Sequence, residues 1–168
     1  GLHEHIYSKA VNNQRIKAGE DMPLSAREMF ARMIRCEAEG EGVNGMRAVA
    51  TVIMNRVHVP YGEYMRVNQG DLRKVLLQPY QFTCAMETVY GQPNPQNIFN
   101  IPARSEDYQV ADWALSGNKH WGAGECLWYY NPYQAGCNTY FPATRTGVYY
   151  NRIAQHCFYS PTPSYAQT

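Results

Sequence analysis

The chain lacks several of the features that most directly announce a function. No run of apolar residues approaches the length needed to cross a bilayer, so no membrane span is expected. No cluster of Lys and Arg is present, and 15 basic against 14 acidic residues leave a formal charge of +1, which argues against nucleic acid as a main partner. The five cysteines include no Cys-x-x-Cys pair, so the ligand spacing of a structural zinc site is missing, and no cofactor or other metal motif is visible. Gly1 to Asp21 are polar and without the apolar core of a secretory signal, so either a signal has been removed or delivery takes another route.

What is present is enough for one domain. At 168 residues the chain can bury roughly 70% of its unfolded surface. Its fourteen Tyr and three Trp, crowded into the second half, exceed what packing such a core needs. Flat rings with polar tips suit a surface that holds sugar rings or peptides. A Tyr-rich antiparallel sheet explains the same excess. With five cysteines, at least one stays unpaired if all bonds are internal.

The most informative stretch is Ile34-Arg-Cys-Glu-Ala-Glu-Gly-Glu-Gly42, where three carboxylates on alternate residues meet glycines after an amphipathic run. Ser25-Ala-Arg-Glu28 reads as a capping box, with Leu24 and Met29 as its hydrophobic staple. Met29, Phe30, Met33 and Ile34 then form a core-facing stripe, and Gly40 and Gly42 supply the stop. Glu37 therefore falls at the C-terminal end of a buried-face helix. The negative end of the helix dipole and partial desolvation both oppose its ionisation, and a raised proton affinity is what a general acid needs near neutral pH. The same pattern also fits a solvated acidic turn, and Glu39 and Glu41 read as surface groups. Cys36 reads either as a thiol nucleophile or as a packed, inert sulfur.

Along the chain, residues 1–23 read as a loosely attached arm, 24–161 as the working domain and 162–168 as a frayed tail. Asn44 is expected to cap a helix over Gly45 to Val57 that is apolar almost all round and hence central, closed by Asn55 and Arg56, which would brace the active-site loop. His58 to Gln69 reads as a loop, and Asp71 caps a short helix through Leu77, stopped by Pro79. Pro79-Tyr-Gln-Phe-Thr83 is a polar and aromatic run suited to a cleft. Tyr90 to Pro102 should be irregular. Ser105 is expected to cap a further helix with Tyr108, Ala111, Ala114 and Leu115 inward and Gly117 at its end. After Gly122 the period changes. Leu127–Pro132, Thr139–Phe141 and Arg152–Tyr159 read as short antiparallel strands, and helices followed by a small sheet make an α+β fold.

Together these runs resemble the spore cortex-lytic cell-wall hydrolases of the SleB/CwlJ type, most closely the CwlJ branch. The matching segments are Cys36–Gly42, Gly45-Met46 through Ile53-Met-Asn-Arg56, Gln78-Pro79 with Phe82, Leu127-Trp-Tyr129 with Pro132, and His156-Cys-Phe-Tyr159 with Pro161, in family order over residues 25 to 161. The resemblance implies a lysozyme-like α+β fold and cleavage of peptidoglycan glycan strands, in the spore cortex for the family's best-studied members. It implies that Glu37 is the catalytic acid, that the enzyme is a lytic transglycosylase or a muramidase, and that its setting is spore coat, cortex or cell wall, with a spore-coat protein as a further partner. Glu39 stands where the SleB branch carries Arg, which favours the CwlJ branch.

For the glycan cleft the candidates are Gln81, Phe82, Tyr129, Asn131 and His156. Phe82 and Tyr129 also read as core, Asn131 as a turn residue and His156 as a strand histidine satisfied by backbone. Glu41, Asp71, Glu87 and Asp112 are the candidates for a second carboxylate. A non-catalytic wall or coat protein that binds glycan through its aromatic sheet, and a cysteine peptidase using Cys36 or Cys157, are the competing readings.

Overall fold

A computed structural model of the chain describes residues 23–141 and 144–168, so most of the proposed N-terminal arm lies outside the described residues. The first helix, α1 (Ala26–Ala38), begins as its sequence dictates. Ser25 Oγ accepts from the Glu28 amide at 3.0 Å, Leu24 and Met29 are both buried, and Met29, Phe30, Ala31, Met33, Ile34 and Ala38 face the core. The helix stops at Ala38, and Gly40 takes a φ of +87° to turn the chain, a conformation that costs glycine little.

α2 (Gly42–His58) is the central helix, buried on every turn from Gly45 to Val57. It begins earlier than expected. Glu41 occupies the cap position and Asn44 lies within the first turn, because Gly42 at φ +77° has already swung the chain into line. The Glu41 carboxylate makes no capping bond, being drawn instead to the Gln155 amide at 3.2 Å.

The segment expected as a loop after α2 contains a helix, α3 (Gly62–Asn68). Only Tyr64 and Asn68 of it are buried, so no apolar stripe announces it. Its N-terminal amides are satisfied from the far end of the chain: Glu63 N donates to Thr168 Oγ1 and Tyr64 N to the Tyr165 hydroxyl. A Cβ at Gly62 would lie 2.5 Å from the Tyr165 ring, so glycine permits that approach. Residues 162–168 are correspondingly not frayed. They form a 3-10 turn (Pro163–Gln167) whose Tyr165 is 1% exposed.

Asp71 caps α4 (Leu72–Leu77) through the Lys74 amide, as expected. A 3-10 turn (Thr83–Ala85) and a two-residue hairpin, β1 (Thr88–Val89) with β2 (Gln92–Pro93), break the otherwise irregular stretch before α5 (Ser105–Leu115). The α5 cap differs from expectation. Arg104 is the cap residue, its amide bonded to the Asp107 carboxylate at 2.8 Å, and Asp107 is fully buried with the Arg104 guanidinium on both oxygens. Asp107, Val110, Ala111 and Ala114 face inward and Tyr108 is partly buried against the core, while Leu115, expected inward, is exposed.

The sheet runs β3-β5-β4, all antiparallel, with β3 (Trp128–Tyr130), β4 (Gly147–Ile153) and β5 (His156–Pro161). The single strand expected over Arg152–Tyr159 is a hairpin: β4 ends at Ile153, Ala154 turns at φ +51°, and β5 starts at His156. Of Thr139–Phe141, only Tyr140 bridges to Val148. Helices and sheet meet in one large core, and a smaller aromatic cluster of Tyr64, Trp128, Tyr159 and Tyr165 sits under the C-terminal turn. Two disulfides, Cys36–Cys84 and Cys137–Cys157, leave Cys126 buried and free. Cys36 is therefore neither a thiol nucleophile nor an inert core sulfur, and Cys157 is likewise committed to a bridge.

Candidate active site

The end of α1, the loop through residues 83–96 and the edge formed by β3 and β5 enclose a groove of about 530 Å³. Glu37, Glu39 and Glu41 line it from the helix corner, Thr83, Asn94 and Gln96 from the loop, and Tyr129, Tyr130, Asn131 and His156 from the sheet side. Asn94 holds the loop by donating to Thr83 O and Met86 O, and Cys84 fastens it to α1 through Cys36.

Glu37 retains part of its surface toward the groove while its carboxyl is packed inside. The Tyr129 hydroxyl donates to Oε1 at 2.7 Å, and Cys84 Sγ lies 2.9 Å from Oε2. Burial raises the proton affinity of Glu37 above the ordinary glutamate range, with the Tyr129 hydrogen bond and the positive charge of Arg56 pulling the other way. Tyr129 is itself held well above its usual value, first by burial and then by the Glu37 charge it faces, so it remains a donor at neutral pH.

Two residues of α2 fix the sheet side. Asn55 Nδ2 donates to Gly124 O and Cys126 O, and Arg56 Nε to Leu127 O at 2.7 Å, all immediately before β3. The bracing expected of this pair is thus applied to the segment that delivers Tyr129. Arg56 also stacks its guanidinium over the Tyr64 and Phe82 rings, at 4.8 and 5.1 Å.

Glu41 Oε1 stands 2.8 Å from His156 Nδ1, in a direction too bent for a hydrogen bond. Burial lowers the proton affinity of His156, and the Glu41 charge partly offsets this. The His156 ring meets the edge of Tyr129 at a centroid distance of 5.1 Å. A Cβ on Gly45 would fall 2.5 Å from Glu41 Cβ, so the glycine leaves room for this acidic side chain.

Of the sequence candidates, Glu37, Tyr129, Asn131 and His156 come together, whereas Gln81 and Phe82 do not. Gln81 accepts from the Tyr64 hydroxyl at 2.8 Å and lines a separate cavity of about 320 Å³ behind Tyr129, and Phe82 is buried in the core under Arg56. Asn131 does double service, its Oδ1 accepting from the Tyr133 amide in a turn. Among the carboxylates considered as partners for Glu37, only Glu41 lines the groove; Asp71 caps α4 and Asp112 pairs with Arg27. Thr83 ends the run read as suited to a cleft and does line the groove, whereas Cys84, Asn94, Gln96 and Tyr130 are not among the candidates the sequence offers. Asn94 and Gln96 lie in the Pro- and Asn-rich stretch, whose composition marks a loop without saying what it faces. Among the described residues no group of three or more His, Cys, Asp or Glu is placed to hold a metal ion. No described helix is long and apolar enough to cross a membrane.

A family model described as Cell Wall Hydrolase matches residues 40–159, beginning just after Glu37. The cell wall hydrolase CwlJ of Bacillus subtilis (strain 168) is 31% identical over 140 residues, covering 80% of this chain and 84% of the relative. CwlJ of Halalkalibacterium halodurans is 27% identical over 135 residues, covering 80% and 85%. Among solved structures, the catalytic domain of the germination-specific lytic transglycosylase SleB from Bacillus anthracis superposes with a TM-score of 0.54 at 26% identity, over 80% of this chain and 93% of that one. The catalytic domain of Bacillus cereus SleB, at 23% identity and a TM-score of 0.58 over 80% and 89%, shares the fold.

Proposed function

The chain belongs to the cell wall hydrolase family of the SleB/CwlJ type, and from that premise we propose that it is a lytic transglycosylase that cuts peptidoglycan glycan strands between N-acetylmuramic acid and N-acetylglucosamine, with Glu37 as acid and then base. The observation that carries the reading is a buried carboxyl with raised proton affinity, opening on a polar groove and held at one oxygen by Tyr129. The names of its relatives, a cell wall hydrolase and a germination-specific lytic transglycosylase, support a cell-wall substrate; the spore cortex as setting and a spore-coat protein as localising partner are part of the same proposal.

The bond to be cut breaks through an oxocarbenium-like transition state, and the departing oxygen needs a proton. Glu37 gives that proton as the C1–O bond of the muramic residue breaks. The resulting carboxylate, stabilised by the Tyr129 hydroxyl and Arg56, takes the proton from the C6 hydroxyl of the same residue. O6 then bonds to C1 and closes a 1,6-anhydro ring, so no water is consumed and Glu37 ends protonated as it began. One carboxylate suffices.

A hydrolytic reading draws on Glu41, a second carboxylate in the same groove. Retaining and inverting glycosidases place two carboxylates on the scissile bond, and Glu41 would have to activate or replace a water. Instead its Oε1 accepts from the Gln155 amide and lies against the His156 ring, which favours the single-carboxylate route. Mass spectrometry of muropeptides released from purified cortex in heavy-oxygen water tests this: anhydro ends without label are expected, and labelled reducing ends would assign hydrolysis. Release of no soluble muropeptides would favour a glycan-binding wall protein.

A further inference from the structure

Glu37 is asymmetric in its surroundings. Oε1 has a hydroxyl donor in Tyr129, but Oε2 faces the sulfur of Cys84, which is bridged to Cys36 and carries no hydrogen. A sulfur without a proton is a weak acceptor only. It can receive the O–H of a protonated Glu37, and it offers nothing to the ionised form. A free Cys84 thiol in the same place would do the reverse, donating S–H to Oε2 and favouring the carboxylate.

We propose that the Cys36–Cys84 disulfide is a positioning element for the acid: it withholds a donor from Glu37 Oε2, and so keeps the carboxyl in its proton-giving form and the enzyme dependent on the bridge being closed. The inference rests on the assignment of Glu37 as the acid. The location suits such a role. Cys36 directly precedes Glu37 on α1, Cys84 lies on the loop that forms the facing wall, and both line the groove. Opening the bridge takes an external dithiol, which passes two electrons and two protons to the sulfurs, leaving two cysteine thiols and a cyclic disulfide of the reductant.

The other groups that bear on Glu37 are Arg56 from α2, Tyr129 from β3, Glu39 and Glu41 beside it, and His156 from β5. All are common to the closed and open forms, so a difference between the forms reports the sulfur. A general acid works only while protonated, and activity falls as pH rises through its pKa. Added donation to the carboxylate lowers that pKa, so opening the bridge moves the alkaline limb of kcat/KM to lower pH.

The test uses the full chain. Cys36→Ala opens this bridge alone and leaves Cys84 as a thiol, and the Cys36→Ala/Cys84→Ala double variant removes bridge and donor together. The midpoint of the alkaline limb, and the carbon-13 titration of the Glu37 carboxyl assigned by its loss in Glu37→Gln, are expected to fall by about one pH unit in Cys36→Ala, about a tenfold loss of activity above the midpoint. The double variant should titrate as the oxidised protein does. Equal midpoints in the single and double variants would overturn the proposal and leave the bridge as a tether. If Cys36→Ala fails to fold, the same titration on a Cys137→Ala/Cys157→Ala chain, which holds this bridge alone, compared before and after reduction with dithiothreitol, replaces it, and unfolding on reduction would likewise make the bridge structural only. Activity retained by Glu37→Gln would instead sink the acid assignment, while the carboxyl titration would still report what the sulfur does.

Discussion

At the α1–α2 corner, Glu37, Glu39 and Glu41 arrive together because they are near neighbours in the chain, and two glycines turn the backbone between two helices. Across the groove, Tyr129 and His156 arrive from strands far apart in sequence that pair through β5 with Phe158 opposite Tyr129. The corner supplies carboxylates and the sheet supplies the groups that decide their protonation. Glu37 and Glu39 make the point within one segment: Glu37 is packed against Tyr129, whereas Glu39 is half exposed beside Arg35 and Arg104. The chemistry of a Glu-x-Glu motif is thus set by what the opposite wall places against each member.

The sharpest way to break this comparison is Glu37→Gln. It keeps shape and removes the proton, so turnover of cortex glycan should fall by about 10²- to 10⁴-fold with an unchanged circular dichroism spectrum. A variant keeping more than about one percent of native turnover would remove the corner from the chemistry. Next comes the brace between the walls. Arg56→Met deletes the bond to Leu127 O and leaves that buried carbonyl unpaired, and a loss of about 1–3 kcal/mol in unfolding free energy is expected by denaturant titration. An unchanged midpoint would mean that β3 is held without α2. The smallest effect is on the sheet side itself. Tyr129→Phe removes the hydrogen bond that favours ionised Glu37, so the folded-state pKa of Glu37 rises further and the alkaline limb of kcat/KM should move up by about one pH unit. This is the opposite direction to that expected on opening the Cys36–Cys84 bridge. The sign for stability follows from the same raised affinity: Glu37 costs folding free energy once the unfolded chain ionises it, and that cost is absent at pH values below the unfolded pKa.

Much of the helical half was legible because its signals are local. The Ser25 cap, the Met29–Ile34 stripe, the all-apolar face of α2, the Asp71 cap and the Pro79 stop are each decided within one or two turns of chain. What the sequence does not announce depends on partners distant in the chain. The helix α3 lacks a stripe and is closed by Tyr165 and Thr168, and the C-terminal segment that looked frayed is ordered by that same contact. The β4–β5 hairpin reads as one strand in the sequence because its turn, Ala154-Gln155, carries neither Gly nor Pro to mark it. Gln81 and Phe82 belong to a run of cleft-like composition, yet Phe82 packs beneath the Arg56 guanidinium and Gln81 takes the Tyr64 hydroxyl, and neither lines the groove.

By itself the sequence determined that a glutamate would close a buried-face helix at a glycine turn, next to an apolar central helix, since capping, stripe and turn propensities act over a few residues. Only the tertiary structure decided that Tyr129 and a bridged sulfur would share that carboxylate between them. Contacts between residues 37, 84 and 129 depend on how a loop and a strand are carried back over the helix, and no local preference encodes the closing of those long chain loops.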